Sequence, residues 1–297
     1  MIRLIDTHSH IYEPEFDDDR TEVVERAIAA GVDRLLLPAI DTHSHARMLD
    51  LARAYPANCY PMMGLHPTSV NENPTWREEL TEVETFLRQP PEGVRFVAVG
   101  EIGLDYYWSQ DYVEDQREAF VAQLRLAAEL DLPVAIHTRA AWGDMCEIIE
   151  RETAAARERG ERLRGVFHAF SEDVETYKRL KACGDFLFGI GGVVTFKKST
   201  LAETAREMSP EDLLLETDCP YLTPVPHRGK RNESSYIPYI CTRVAELTNC
   251  TVEQIAEQTG GVFVNCDNLD ALTEDMHEAI ISSSSRTLLT PRFNVRN

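Results

Sequence analysis

The chain opens with IRLIDTHSH, Ile2–His10, an apolar run over Ile2–Ile5 that ends in two histidines one residue apart. In an extended strand, residues i and i+2 point the same way; in a helix they diverge by about 200°. A His-x-His pair can therefore chelate a cation from a strand end and hardly from a helix. The next residues, Ile11-Tyr12-Glu13-Pro14, are not helical. His8 and His10 are thus expected at the C-terminal mouth of a first strand, both facing inward. The same pentapeptide, DTHSH, recurs at residues 41–45 but runs straight into Ala46-Arg47-Met48-Leu49-Asp50-Leu51-Ala52, a good helix. There Asp41 or Thr42 serves as N-cap. His43 and His45 fall on different faces of the first turn, and both are expected to be solvated rather than ligating.

Seven further short apolar runs come after the first: Leu35–Ile40, Cys59–Leu65, Phe96–Ile102, Val134–Thr138, Gly165–Phe170, Phe186–Val194 and Leu213–Glu216. Each is nearly continuous in Val, Ile, Leu or Phe, as strands buried on both faces of a parallel sheet are. Amphipathic stretches alternate with them: Thr21–Ala30, Ala46–Ala54, Trp76–Leu87, Gln116–Leu130, Trp142–Arg159, Val174–Ala182 and Leu201–Met208. Gly31, Gly160 and Gly184 stand where helices should stop, and Asn249–Thr251 separates two late helices. Regular β/α alternation through eight strands predicts an α/β chain folded as a (β/α)8 TIM-type barrel over residues 1–267. A doubly wound sheet is the alternative, but no GxGxxG follows an early strand. The alternation stops near Cys266, so 268–297, with its serine run Ser282–Ser285, is expected to be a partly disordered or docked appendage.

The 297 residues carry a formal net charge of −20 and a pI near 4.8. So acidic a body repels polyanions at long range and lacks the basic face that grips a long duplex. Arg3 and Asp6 interrupt the start before an apolar run develops, so no signal peptide is expected. The longest charge-free apolar stretch, around Phe186–Phe196, is far below the roughly 20 residues of a membrane helix. The seven cysteines are scattered and lack a CxxC spacing. They are expected to be reduced thiols of a cytoplasmic protein, not a zinc-thiolate site.

Barrels place their chemistry at the C-terminal strand ends. Reading those ends gives Glu101, His137, His168 and Asp218, each closing an apolar run with a metal-ligand residue type. With His8 and His10 they make four imidazoles and two carboxylates. That exceeds what one tetrahedral ion needs and suits two divalent ions, Zn²⁺, Mn²⁺ or Mg²⁺, bridged by Glu101.

The motifs DTHSH (6–10), GLHP (64–67), GEIGLDYY (100–107), IHTR (136–139), FHAFS (167–171), ETDCPYLTP (216–224) and HRGKRNE (227–233) together resemble the TatD family of metal-dependent deoxyribonucleases, within the amidohydrolase-like barrels. The resemblance implies a barrel with two divalent ions held by His8, His10, Glu101, His137, His168 and Asp218, the residues the strand ends pick out. It departs from the family pattern at Ala140, Glu172 and Thr259-Gly260-Gly261, none of them a ligand position.

Two ions can make water nucleophilic near neutral pH, with Asp218 taking its proton and Glu101 completing the catalytic pair. His66 is expected to meet a substrate phosphate or orient a ligand. Arg228, Lys230 and Arg231, on the loop after Asp218, and Arg139 are expected phosphate contacts. Tyr106, Tyr107, Trp108 and Tyr221 are candidates for stacking on a terminal base. A small cationic pocket on an acidic body suits a chain end. The reading is therefore an exonuclease on single-stranded or frayed DNA, with RNA as a second substrate and no obligate protein partner or membrane; the resemblance implies 3′-to-5′ polarity. A deacylase or amidohydrolase acting on, for example, an aminoacyl-tRNA end would use the same activated water. A non-catalytic scaffold is disfavoured by the full ligand set.

Overall fold

The computed structural model describes residues 2–260 together with 262 and 263. The appendage expected over 268–297 lies outside the described residues. The strands are β1 (Ile2–Asp6), β2 (Val32–Leu37), β3 (Cys59–Pro61), β4 (Val99–Asp105), β5 (Val134–Arg139), β6 (Gly165–Phe167), β7 (Phe186–Ile190), β8 (Leu213–Leu215) and β9 (Val262–Phe263). The helices are α1 (Arg20–Ala29), α2 (Thr42–Ala54), α3 (Trp76–Arg88), α4 (Val113–Glu129), α5 (Trp142–Glu158), α6 (Val174–Cys183), α7 (Leu201–Glu207), α8 (Ile237–Thr248) and α9 (Val252–Gln258).

Every expected apolar run overlaps a strand, and helices alternate with strands, giving an α/β fold with parallel sheets. The strands form two sheets, ordered β3-β2-β1-β9 and β4-β5-β6-β7-β8. All pairings are parallel except β9 against β1. Backbone hydrogen bonds join the sheets on both sides. At one seam Thr7 N–H donates to the Leu215 carbonyl (3.0 Å), Asp218 N–H to His8 (2.9 Å) and His10 N–H to Cys219 (3.0 Å). At the other, Val97 N–H donates to Pro61 (3.0 Å), Met63 to Ala98 (3.2 Å) and Gly100 to Met63 (3.0 Å). Asp6, buried at the first seam, accepts from the Thr217 N–H (2.9 Å) and hydroxyl (2.5 Å) and from the His8 N–H (3.3 Å).

Some boundaries differ from the apolar runs. The third strand stops at Pro61, although residues through Leu65 are apolar. Past that point the chain keeps only an isolated bridge, Met63 to Val99. It stays apolar because it packs: a Cβ on Gly64 would stand 2.8 Å from the Gly100 carbonyl carbon and 2.9 Å from Ile102 Cγ2. The seventh strand ends at Ile190, where Gly192–Thr195 turns into a 3-10 helix.

The second DTHSH caps α2. The Asp41 carboxylate accepts from the Ser44 N–H at 2.9 Å, and the Ser44 side chain bonds back in a capping box. His43 is exposed, as expected. His45 corrects the expectation: it is buried, its Nδ1 3.3 Å from Glu82 Oε1 and its ring edge-on to Phe86. It precedes Met48 and Leu49 by three and four positions, which places it on the apolar stripe of α2 that packs toward α3. No helix among the described residues is long and apolar enough to cross a membrane.

Gly103 on β4 has φ +148°, and a Cβ there would lie 2.0 Å from the His137 carbonyl oxygen of β5. That oxygen belongs to a sheet ladder and cannot retreat. Gly103→Ala is expected to lower unfolding free energy by about 3 kcal/mol. Gly93→Ala, with φ +74° but nothing within 4 Å, should cost about 1 kcal/mol. Denaturant midpoints compare the two.

Candidate metal centre

A strand that ends in alternating polar residues presents every second side chain to one side. Glu101 lies within β4, His137 within β5, His8 and His10 just past β1, His168 just past β6 and Asp218 beyond β8. All six expected ligands come together. Glu101 is at the centre and 3% exposed. Its two oxygens face different partners. Oε2 lies 3.1 Å from His8 Nε2 and 3.5 Å from His10 Nε2. Oε1 lies 3.0 Å from His137 Nδ1, 3.4 Å from His66 Nε2 and 3.7 Å from His168 Nε2. Asp218 Oδ1 closes the ring at 3.6 Å from His10 Nε2 and 3.9 Å from His168 Nε2. Three overlapping trios could hold a cation: His8, His168 and Asp218; His8, His10 and Glu101; and His66, Glu101 and His137. Each trio draws on both sheets.

Hydrogen bonds to the far sides of the rings decide what each ring offers. Tyr12, fully buried, donates its hydroxyl to the Pro38 carbonyl at 2.5 Å, so its oxygen must accept from His10 Nδ1 at 2.9 Å. That puts the proton on His10 Nδ1 and leaves Nε2 with a free lone pair, facing His8 Nε2 at 3.1 Å. Two imidazole nitrogens this close, beside a carboxylate, converge as ligands do around a cation. His168 Nδ1 lies 3.1 Å from Glu216 Oε1 but makes no hydrogen bond among the described residues, so its tautomer is not set from that side. His8 stacks on His168 with ring centroids 3.4 Å apart, and its Nδ1 has no hydrogen-bond partner among the described residues.

His66 differs. Its Nδ1 accepts the Thr68 N–H at 3.2 Å, so in the neutral ring the proton sits on Nε2, facing Glu101. This favours a hydrogen-bond donor over a ligand, although it lies in the third trio. His137 is held between Glu101 Oε1 and Asp105 Oδ2, each 3.0 Å away.

The electrostatics fit cation binding. Burial lowers the pKa of His8, His10, His66 and His168, keeping the rings neutral as ligation requires. Burial alone would raise Glu101, but His8, His66, His137 and His168 hold it well below the ordinary carboxylate value. Burial also works against a charged His137, yet Asp105 and Glu101 together raise it to about 9. Asp218 is pushed by burial up to about 7, as is Glu216.

Three positioning residues, Tyr12, Asp105 and Glu216, were not anticipated. Each stands an even number of positions from an expected ligand: Tyr12 two after His10, Asp105 four after Glu101, Glu216 two before Asp218. The alternation that picked out His8 and His10 covers Asp105 and Glu216; Tyr12 lies in a turn past the strand, where alternation gives no direction. Gly189 makes room for Glu216: a Cβ there would meet its Oε2 at 2.0 Å.

The expected substrate contacts divide. Arg139 is exposed and lies over the Tyr107 ring at 3.7 Å. Arg228 lies over Phe196 at 3.7 Å, and Lys230 is exposed. Neither Arg228 nor Lys230 forms an ion pair among the described residues. Arg231 is engaged elsewhere, donating to the Glu15 carbonyl and to Asp19 Oδ2, each at 2.7 Å, and covering Phe16. Tyr106 directs its hydroxyl to Asp144 Oδ2 at 2.8 Å, toward α5.

The family model described as TatD related DNase matches residues 5–266. The uncharacterized metal-dependent hydrolase YabD of Bacillus subtilis is 36% identical over 261 residues, covering 86% of this chain and 95% of its own. The 3′-5′ ssDNA/RNA exonuclease TatD of Escherichia fergusonii is 36% identical over 253 residues, 82% and 90% of the two chains. The crystal structure of YJJV, a TatD homologue from Escherichia coli, superposes with a TM-score of 0.77 at 30% identity, covering 86% and 95%.

Changing a group behind a ring should loosen the cage without dismantling it. Tyr12→Phe and Glu216→Gln are each expected to weaken divalent-cation affinity by about 10–100-fold. Calorimetric titration of Mn²⁺ or Zn²⁺ into the cation-free protein measures this, with circular dichroism reporting that the fold is kept.

Proposed function

The chain belongs to the TatD family of metal-dependent hydrolases, and from that premise we propose that it hydrolyses phosphodiester bonds at the 3′ ends of single-stranded or frayed DNA, and of RNA, with two divalent cations in the cage around Glu101. The observation that carries the reading is the division of that carboxylate, one oxygen toward His8 and His10 and the other toward His137 and His168. A bridging carboxylate is divided in this way. We read the two sheets as one closed (β/α)8 barrel over residues 1–267, with the cage at the C-terminal strand ends; the hydrogen bonds across both seams support this. The free thiols among the described residues support a reducing cytoplasmic setting.

Bound there, Mg²⁺, Mn²⁺ or Zn²⁺ supplies Lewis acidity toward a phosphate oxygen and acidifies water to near neutrality. The remaining work belongs to side chains. Asp218, raised to about 7 by burial, is basic enough to accept a proton from the attacking water. Its φ of +55° turns the chain away directly after β8 and Thr217. His66 offers an Nε2 proton to Glu101 or to an incoming oxyanion. Arg228 and Lys230 meet the phosphate with donors that no carboxylate of the described residues occupies.

The charge balance supports a chain end as substrate. With 50 acidic against 30 basic residues, most described arginines are tied to carboxylates. The cations left over include Arg139, Arg228 and Lys230, in the loops or strand ends around the cage. Few phosphates can be engaged at once. The Escherichia fergusonii relative, a 3′-5′ ssDNA/RNA exonuclease, supports both substrate and polarity.

Chelation is expected to abolish release of mononucleotides from end-labelled single-stranded DNA, and Mn²⁺ or Mg²⁺ to restore it. Under the same conditions a charged tRNA should keep its aminoacyl ester; selective loss of the ester would turn the reading to the deacylase. Asp218→Asn should lower kcat by about 10²–10⁴-fold, with cation content measured alongside. The logarithm of kcat/KM against that of salt concentration should have a slope of about −1 to −3, the signature of few released counterions.

A further inference from the structure

The most exposed large apolar side chains among the described residues include two neighbours, Tyr107 at 58% and Trp108 at 67%. They are not a loose surface patch. Arg139 lies over the Tyr107 ring at 3.7 Å and 5.4 Å from the Trp108 centroid, and the two rings meet edge to face with centroids 5.0 Å apart. The group is anchored to the cage. Tyr106 N–H donates to the Arg139 carbonyl at 3.0 Å. Tyr107 N–H donates to Asp105 Oδ1 at 3.0 Å, and the other oxygen of Asp105 holds His137. Arg139 is two residues beyond His137 on β5, a rise of about 7 Å along the same side of the strand.

Arg139 is also unspent. Its guanidinium donates no hydrogen bond and forms no ion pair among the described residues. An aromatic surface next to free, planar N–H donors offers what one nucleotide unit presents: a flat base to stack and a phosphate to bind. A peptide or an acyl chain would leave one half of that pair unused.

We propose that Tyr107, Trp108 and Arg139 form a stacking platform for one unpaired nucleobase next to the cage, so that the site takes single strands because only an unstacked base can reach the platform. This rests on the nuclease reading and adds to it the residues that select single strands.

The test is built on Trp108, one of three tryptophans; Trp76 is buried and Trp142 half-buried. Full-length protein in chelator is titrated with short oligothymidylates, following anisotropy and tryptophan emission. A second set carries one tetrahydrofuran abasic unit, moved position by position from the 3′ end. Binding should quench emission, and one abasic position should weaken binding by about 10-fold. Trp108→Ala and Arg139→Ala should each weaken binding to intact oligonucleotide by a similar factor. In Trp108→Ala the abasic unit should have no further effect. Trp108→Phe, which keeps a stacking face, should bind within about 2-fold of the parent and lose most of the quench.

Equal affinity for every abasic oligonucleotide, parental affinity in the alanine variants, or no measurable binding would overturn the platform. Hydrolysis by the cation-loaded parent is measured on the same oligonucleotides. Cleavage indifferent to the abasic unit removes the platform and leaves the nuclease. Base-dependent binding and quenching without cleavage keeps the platform and removes the phosphodiesterase.

Discussion

A carboxylate withdrawn from water has to be met by positive charge or by hydrogen bonds, and Glu101 is met by five imidazoles. That requirement organises the centre. The rings themselves are kept neutral by burial, with His137 the exception. Neutral rings hand the charge requirement on to whatever enters between them. Tyr12 behind His10 fixes which nitrogen of that ring faces inward, and the Glu216 carboxyl lies 3.1 Å behind His168. The cage is therefore defined by proton placement as much as by distance. A cation held there would depend on side chains such as Tyr12 that lie behind the rings.

Much of this was legible in the sequence because strand parity is rigid. A residue two positions from a ligand points the same way, and apolar runs interrupted by His, Glu or Asp mark the ends of buried strands. The clustering of the six expected side chains and the parallel α/β fold followed from those two rules. Asp105 and Glu216 obeyed the same parity but were hidden in composition, two acids among 50. What parity cannot give is the partner of a long side chain. Arg231 belonged to the same basic run as Arg228 and Lys230, yet it reaches back to Asp19 and Glu15, a contact more than 200 positions away in the chain. His45 was misplaced for a related reason. Reading it as half of a repeated pentapeptide obscured its spacing to Met48 and Leu49, which carries it onto the buried side of α2.

The distribution of charge also separates scaffold from site. Across the outer helices, arginines pair with carboxylates on neighbouring turns or neighbouring helices, as Arg88 does with Glu84 and Glu129 and Arg179 with Glu150. Such exposed pairs add little individually, but they leave few cations unmatched. Arg26 with Glu233, and Arg231 with Asp19, tie the loop after β8 to α1 and to the turn before it. The base of that loop is thereby fixed while Arg228 and Lys230 project from it. Arg139, Arg228 and Lys230 stay outside this pairing, at a strand end and on a loop that lead away from the clustered side chains.

The trios of ligands that bridge the two sheets have a mechanical side. His8 and His10 follow a strand of one sheet, whereas Glu101, His137, His168 and Asp218 belong to or follow strands of the other. An ion shared among them would fasten the sheets to each other. Because the unfolded chain holds no such cage, each cation taken up would add its binding energy to cohesion. Under the proposed reading, a shortage of metal would lower cohesion at the same seam where it lowers reactivity, so that durability and turnover would share one supply.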